Sequence, residues 1–174
     1  MALYSLFMPV QAVGANLVYF DLFNASGSSK DLEIITLQPV VSGSVAVTGT
    51  LGIDLFLTRT TAVGTGGTAA TAEGTSLTAP EIVCIDGSQP IHSSITARLT
   101  PTGGATAGAV ITWSSVFAEE TSPAAYIPNP NMARLMPDMP GVLVKQGTGI
   151  RVVQGAVASA GNVGFNIAFK VTDK

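Results

Sequence analysis

The chain has 174 residues and a mass of 17.7 kDa, which suits a single domain, residues 1–174, with a core that needs no disulfide or metal. Charged residues make up only 11%, where roughly 25% is usual in globular chains. Eight Lys and Arg against eleven Asp and Glu supply no basic stripe for phosphate groups, which argues against nucleic-acid binding.

Two strands are predicted near the N-terminus, Leu3–Met8 and Asn16–Phe23. Both carry apolar residues on both faces, and in the second strand Leu17 and Tyr19 point away from the face of Val18. A sheet covered on one side only would leave these large side chains in water. We therefore expect either a second layer of the same chain or a neighbouring subunit to cover them.

The N-terminal segment lacks the features of a targeting sequence. No Lys or Arg precedes Lys30, and Pro9 and Gln11 interrupt the first apolar run. This pattern predicts neither a signal peptide nor a membrane span, so we expect a protein that is made in the cytoplasm.

Strands separated by loops rich in glycine and threonine are predicted through the middle of the chain. Gly52–Thr61 alternates between an apolar face and a second face that includes Phe56, as in a strand buried on one side. Ala62–Pro80 and Thr100–Gly108 have no apolar periodicity and predict surface loops, the first of them mobile. The other strands predicted here are Leu32–Leu37, Glu81–Asp86, His92–Leu99 and Val110–Phe117.

The stretch Glu119–Gly141 is irregular. Its prolines exclude a long helix but allow a single turn near Asn131–Leu135. Methionine adapts to irregular apolar surfaces, so this stretch is either a contact arm for a partner or a segment that packs over its own fold. The residues singled out in it are Met132, Arg134, Met136 and Met139.

The clearest alternation lies in Val163–Val171, which predicts a strand buried on one face. Upstream, Val142–Lys145 and Ile150–Gln154 flank Gln146–Gly149, whose two glycines supply the positive φ of a short hairpin turn. Three antiparallel strands are thus expected to close the chain. The whole sequence predicts about ten strands and no convincing helix, which indicates an all-β antiparallel sandwich, barrel or jelly roll with long loops.

No motif in the sequence predicts chemistry. His92 is the only histidine and is interpreted as a solvent-facing strand residue, while the only cysteine, Cys84, lies in an apolar run typical of a buried, unreactive thiol. Gly64–Gly67 lacks the Lys-Ser or Lys-Thr ending of a phosphate-binding loop. We therefore expect no catalytic residue, no metal ligand and no cofactor, and a protein that is not an enzyme.

Uncharged residues replace the missing charges, chiefly Ser, Thr, Ala and Gly. This composition suits a surface covered by other protein copies, which we favour, although a polar, uncharged, secreted β-domain would have a similar composition. Together with the two-faced strands, it predicts a protein interface. The candidate interface residues are Leu17, Tyr19, Phe56, Met132, Arg134, Met136 and Met139.

The C-terminal strands carry a resemblance to a known group of proteins. Val142–Ile150, the Gly/Ala loop 155–161 and Val163–Phe169 resemble the closing strands of small jelly-roll structural proteins in tailed bacteriophage virions. Leu57–Gly67 and Ile95–Gly104 resemble uncharacterised phage proteins of the same kind. The resemblance rests on strand and glycine patterning and transfers no functional residue. It implies a capsid decoration (cement) protein, or a related head or tail component, without catalysis.

Two functions of different classes are therefore expected. The first is a virion decoration protein on the outer surface of the capsid shell, whose partners are the major capsid protein and further copies of itself, as a dimer or trimer, with no nucleic acid and no membrane. The second is a carbohydrate- or receptor-binding jelly roll of a head fibre or tail. Clustered exposed aromatic side chains would favour the second, because sugars stack on them.

Overall fold

A computed structural model describes residues 1–42, 50–87, 89–103, 107–119, 131–134, 138–159 and 161–174. These residues form twelve strands and no helix. The strands are β1 (Ala2–Ala12), β2 (Val18–Asn24), β3 (Lys30–Ser42), β4 (Thr50–Thr60), β5 (Thr68–Ala69), β6 (Thr71–Ala72), β7 (Glu81–Cys84), β8 (Ile95–Leu99), β9 (Ala107–Glu119), β10 (Val142–Val144), β11 (Thr148–Gln154) and β12 (Asn162–Asp173).

The strands form two six-stranded sheets. Sheet A has the order β10-β3-β12-β1-β7-β6, and sheet B has the order β5-β8-β2-β11-β4-β9. Neighbouring strands are antiparallel except β6 and β7. The sheets pack face to face, because the ring of Phe165 in sheet A lies 5.5 Å from Tyr19 and 5.2 Å from Phe20 in sheet B, centroid to centroid. The predicted all-β, mainly antiparallel fold is confirmed.

The alternation of β12 places one face of this strand in the core. Its five alternate apolar residues are all buried, whereas Asn166 is exposed, as the sequence predicts for a half-buried strand. Gly164 is buried opposite a register shift in β1, where a Cβ atom would lie 2.7 Å from the carbonyl oxygen of Met8. Glycine is therefore required where the irregular part of β1 approaches β12.

The strand β2 has an irregularity that explains its two apolar faces. Its register against β11 shifts between Val152 and Val153, so Tyr19 is an extra residue in the ladder. Such a bulge re-aims side chains, and both Tyr19 and Phe20 contact Phe165 in the core. The second sheet of the same chain therefore covers Tyr19, which was one of the two possibilities for this strand.

The C-terminal turn does not form the predicted hairpin. β10 pairs with β3 in sheet A, whereas β11 pairs with β2 and β4 in sheet B. Gly147 has the expected positive φ of 71°, and its N–H donates a 2.7 Å hydrogen bond to the carbonyl oxygen of Asn24. The three predicted strands are present, but the predicted hairpin is wrong, because this turn carries the chain from one sheet to the other.

The glycine-rich stretch 62–80 contains strands that the sequence did not predict. β5 and β6 are two residues each and pair with β8 and β7. Thr65 forms a β-bridge with Gly103, so this stretch contacts the second predicted loop, Thr100–Gly108. The prediction of a stretch without elements is wrong, because a two-residue strand leaves no periodicity in a sequence.

Candidate interaction surface

A row of apolar side chains crosses the outer face of sheet B over four strands. Val153 of β11 lies beside Val18 of β2 on one side and Phe56 of β4 on the other, and Phe56 lies beside Trp113 of β9. Residues directly opposite in an antiparallel pair share a face, with Cβ atoms about 4.5–5.5 Å apart. We call Val18, Val153, Phe56 and Trp113 the apolar row.

The apolar row is most exposed at the edge of the sheet. Val18, Val153 and Phe56 are half-buried, whereas Trp113, the only tryptophan, is 60% exposed. Trp113 is not among the interface residues predicted from the sequence. A large exposed ring continuous with three further apolar side chains is the kind of patch that binds a partner.

Polar groups border the apolar row on both sides. On one side, the hydroxyl of Ser115 in β9 donates a hydrogen bond to the carboxylate of Asp54 in β4. On the other side, Arg151 Nε of β11 donates a 3.3 Å hydrogen bond to Thr58 Oγ1 of β4. An apolar centre with a polar border is the usual anatomy of a recognition surface.

Asp21 of β2 is a buried carboxylate on the same sheet. It lies opposite Arg151 of β11 on one side and opposite Arg98 of β8 on the other. Asp21 is 1% exposed, and its Oδ2 accepts a 2.7 Å hydrogen bond from the N–H of Gly64. Burial raises the pKa of Asp21, against the opposing effects of the Gly64 N–H and the Arg98 charge. Asp21 thus holds the glycine-rich stretch against the outer face of sheet B.

Several charged groups are engaged within the fold. Lys30 of β3 forms an ion pair with Asp173 of β12, and Arg59 of β4 donates a hydrogen bond to a main-chain carbonyl of β10 in the opposite sheet. Glu81 is only 6% exposed. Of these groups only Glu81 is withdrawn from the surface, whereas the Lys30–Asp173 pair balances two opposite charges at the surface.

The predicted interface residues do not all lie on the surface. Tyr19 and Met132 are 1% and 3% exposed, so they are core residues of this chain and offer a partner no side-chain surface. Leu17 is half-buried and packs against the core, and Arg134 is half-buried. Phe56 belongs to the apolar row. Met139 is 40% exposed, and Met136 lies outside the described residues.

The segment around Met132 packs over its own fold, which is one of the two roles left open for the methionine-rich stretch. The N–H of Met132 donates a 2.8 Å hydrogen bond to the carbonyl of Leu37 in β3, and Thr112 Oγ1 of β9 donates a 2.9 Å hydrogen bond to the carbonyl of Met132. Residues 131–133 therefore join β3 of sheet A to β9 of sheet B.

A second polar cluster lies in sheet A, where Tyr4 of β1 meets Cys84 of β7. The Cys84 thiol donates a 3.0 Å hydrogen bond to Asp86, and its main-chain N–H donates a 2.7 Å hydrogen bond to Glu73. Burial, followed by the nearby Cys84 and Asp86, raises the pKa of Tyr4. A cavity of about 260 Å³, lined in part by Cys84, Glu73 and Gln89, opens beside the cluster. The prediction that Cys84 is buried is confirmed.

His92 is exposed and precedes β8, which begins at Ile95, so its predicted place within a strand is wrong. Its Nδ1 lies 2.5 Å from the hydroxyl oxygen of Ser94. Among the described residues no carboxylate forms a hydrogen bond with His92, so they place no acid to complete a Ser/His/acid triad. Within the same ranges, no three His, Cys, Asp or Glu side chains are placed to hold a metal ion.

Comparisons with known proteins give no relative for this chain: no family model matches, and neither the curated proteins nor the solved structures contain a significant match. The described part of the chain also contains no helix long and apolar enough to span a membrane.

Proposed function

We propose that the two sheets form a jelly roll. The supporting observation is a nested series of strand pairs: β1 with β12, β2 with β11, β3 with β10, and β4 with β9. A long antiparallel ribbon that folds over into two layers produces this series, with β1-β12-β3-β10 in one layer and β2-β11-β4-β9 in the other. The strands β5 to β8 are then an insertion, in which β7 adds to β1 and β8 adds to β2.

We propose that the protein is a virion structural component that decorates the outer surface of a capsid shell. The single observation that carries this proposal is the apolar row on the outer face of sheet B, in a chain with few charges. The jelly roll is used by viral capsid and lectin domains, which supports the same class by analogy of fold. The half-buried Phe56, with Val153 and Trp113 on either side, would contact the major capsid protein.

Such a protein stabilises a shell because it binds the assembled state. Each copy bound to neighbouring capsid subunits shifts the equilibrium toward assembly, by an amount set by its concentration relative to its dissociation constant. Contacts that are individually weak add up when one oligomer engages several sites at once. An apolar patch with a polar border meets this requirement without catalysis, metal or cofactor.

Binding to undecorated capsid shells tests this proposal. We expect the wild-type protein to sediment with shells and to raise their survival of heat and osmotic shock. Phe56→Lys places a charge in the middle of the apolar row and should lower the bound fraction at least about tenfold, in the range of an interface hot spot. Thr96→Lys is the matched control, because Thr96 is exposed on β8 of the same sheet, away from the apolar row.

The melting temperature of each free variant separates loss of binding from loss of fold. If the folded wild-type protein does not sediment with shells, or if shells without it survive heat and osmotic shock as well as complete ones, the decoration proposal is wrong. Copy number adds a second criterion, because a shell protein is present in hundreds of copies per particle and a tail or vertex protein in far fewer.

The exposed ring of Trp113 favours a second candidate, recognition of carbohydrate by the same face. Trp113 and Phe56 are adjacent aromatic side chains, and Ser115 and Asp54 beside them supply hydrogen-bonding groups. Screening of the free protein on a glycan array tests this candidate. Binding that Trp113→Ala abolishes would support it, whereas an array without signal alongside firm sedimentation with shells would remove it.

A further inference from the structure

The strand β9 ends sheet B with an edge unlike the other sheet edges. It has thirteen residues, whereas the terminal strands β5, β6 and β10 have two, two and three. Very short terminal strands limit pairing with another chain, because they offer few free N–H and C=O groups. The strand β9 offers a longer series, interrupted where its register against β4 shifts between Thr112 and Val110 and between Val110 and Ala107.

The chain covers other open edges with its own residues. Along β3, Asn131 Oδ1 accepts a 3.0 Å hydrogen bond from the N–H of Leu37, and the N–H of Met132 bonds to the carbonyl of the same residue. Beside β8, the N–H of Ala70 donates a 2.8 Å hydrogen bond to the carbonyl oxygen of Ala97. Along β9, the main-chain hydrogen bonds formed between described residues all go to β4.

The sequence of β9 also lacks the residues that protect an edge strand. Natural edges carry lysine, proline or other charged residues that oppose pairing with a second strand. Residues 107–118 contain no charged residue and no proline, and the first charge is Glu119. Trp113, at the midpoint of the strand, leaves a large ring in water on the same edge.

We propose that β9 pairs antiparallel with β9 of a second copy about a two-fold axis near Trp113, which joins the two B sheets into one. A two-fold interface uses the same patch on both subunits, so this patch must be compatible with itself. An axis at Trp113 sets residues 107–119 of the two copies side by side, with Glu119 opposite the partner's Ala107. Two register shifts of β9 against β4, between Thr112 and Val110 and between Val110 and Ala107, limit regular pairing to part of this overlap.

The composition of the strand identifies a second copy as the occupant. No charge opposes a like charge where the two strands pair, since residues 107–118 are uncharged and the two Glu119 residues belong to opposite ends of the paired strands. Trp113 lies across the axis from the partner's Trp113, which removes the exposed ring from water and forms an aromatic cross-strand pair. The joint also makes the apolar rows of the two copies continuous.

This inference concerns the free protein and does not depend on a capsid, so it can fail while the decoration proposal stands. Sedimentation equilibrium of the wild-type protein should give a dimer. Because Trp113 is the only tryptophan, its emission should shift to shorter wavelength as the concentration rises through the dissociation constant. Trp113→Lys brings two charges together at the axis and should weaken the dimer at least about thirtyfold, as loss of a central aromatic anchor does.

Thr96→Lys adds the same charge on the far side of sheet B and should remain dimeric. A wild-type monomer at all accessible concentrations would overturn the proposal, and so would a trimer or a dimer that Trp113→Lys retains. If the protein is a monomer, amide hydrogen exchange shows whether the edge of β9 is covered by the same chain or is unpaired. The informative β9 amides are those that do not bond to β4: their protection in a monomer would mean that other residues of the same chain cover this edge, and their fast exchange would mean an unpaired edge.

Discussion

Removal of the Tyr19 hydroxyl tests whether this side chain belongs to the core. Tyr19 Oη donates a 2.7 Å buried hydrogen bond to Gln154 Oε1, which also accepts a 2.9 Å hydrogen bond from the N–H of Gly14. Burial raises the pKa of Tyr19, so its hydroxyl stays protonated and remains a donor over the ordinary pH range. Tyr19→Phe keeps the ring against Phe165 and deletes only this bond.

The expected cost of Tyr19→Phe is about 1 kcal/mol of unfolding free energy, within the 0.5–1.5 kcal/mol typical of a buried neutral hydrogen bond. It does not reach the larger cost of an orphaned acceptor, because Gly14 still donates to Gln154. In a chain of this length, the loss corresponds to a melting temperature lower by about 2–4 °C. Urea unfolding of the two proteins measures it, provided that their m-values agree.

Two comparisons make the measurement specific. Tyr4→Phe is the matched control, because the Tyr4 hydroxyl lies in a partly buried site at 3.2 Å from its nearest main-chain acceptor, and we expect a cost below about 0.5 kcal/mol. A double-mutant cycle of Tyr19→Phe with Gln154→Leu should give a coupling energy of about 1 kcal/mol. If Tyr19→Phe is as stable as the wild type and the coupling energy is zero, the buried hydrogen bond from Tyr19 to Gln154 is absent. The inward turn of Tyr19 at the bulge in β2 would then be contradicted.

Two further predictions concern backbone and charge. Burial raises the pKa of Asp21 above its ordinary value of 3.8, so the folded state holds this proton more tightly and Asp21 destabilises the fold as the pH rises from 3.8 through its raised pKa. We therefore expect the stability of Asp21→Asn, relative to the wild type in urea, to improve between pH 4 and pH 7. A decline over that interval would mean that the attraction to Arg98 dominates. Gly141→Ala should cost about 1–3 kcal/mol, because the new Cβ would lie 2.0 Å from the carbonyl oxygen of Ile34. Gly103→Ala, whose nearest contact would be 3.4 Å, should lie within about 0.5 kcal/mol of the wild type, and equal costs for the two would contradict the close packing of β10 on β3.

Local patterns in the sequence predict the strands well and their partners poorly. The alternation in Val163–Val171 and the apolar runs upstream each fall on a strand of the structure. The layer to which a strand belongs depends on contacts far apart in the sequence, so the turn at 146–149 resembles a hairpin although it joins two sheets. The sandwich-like pair of sheets is thus consistent with the predicted class, whereas its strand order had to come from the structure.

The candidate surface was only partly predictable for a related reason. Phe56 is identifiable because it occupies the polar face of an alternating strand, between Asp54 and Thr58. Tyr19 is predicted to point away from the face of Val18, on a strand that is apolar on both faces, but it turns inward because a bulge breaks the two-residue period that the prediction assumes. Trp113 lies between Thr112 and Ser114 in the sequence, and its ring is open in the fold, since β9 has a strand neighbour on one side among the described residues.

The central place of β12 in sheet A bears on how the chain folds. β12 lies between β1 and β3, and Ala2 pairs with Val171, so this sheet joins residues from the start and the end of the sequence. Closing such a large loop costs entropy before any contact repays it, and topologies of this kind fold slowly. Before β12 is synthesised, the edges of β1 and β3 that it later covers are unpaired, and other strands can pair with them incorrectly.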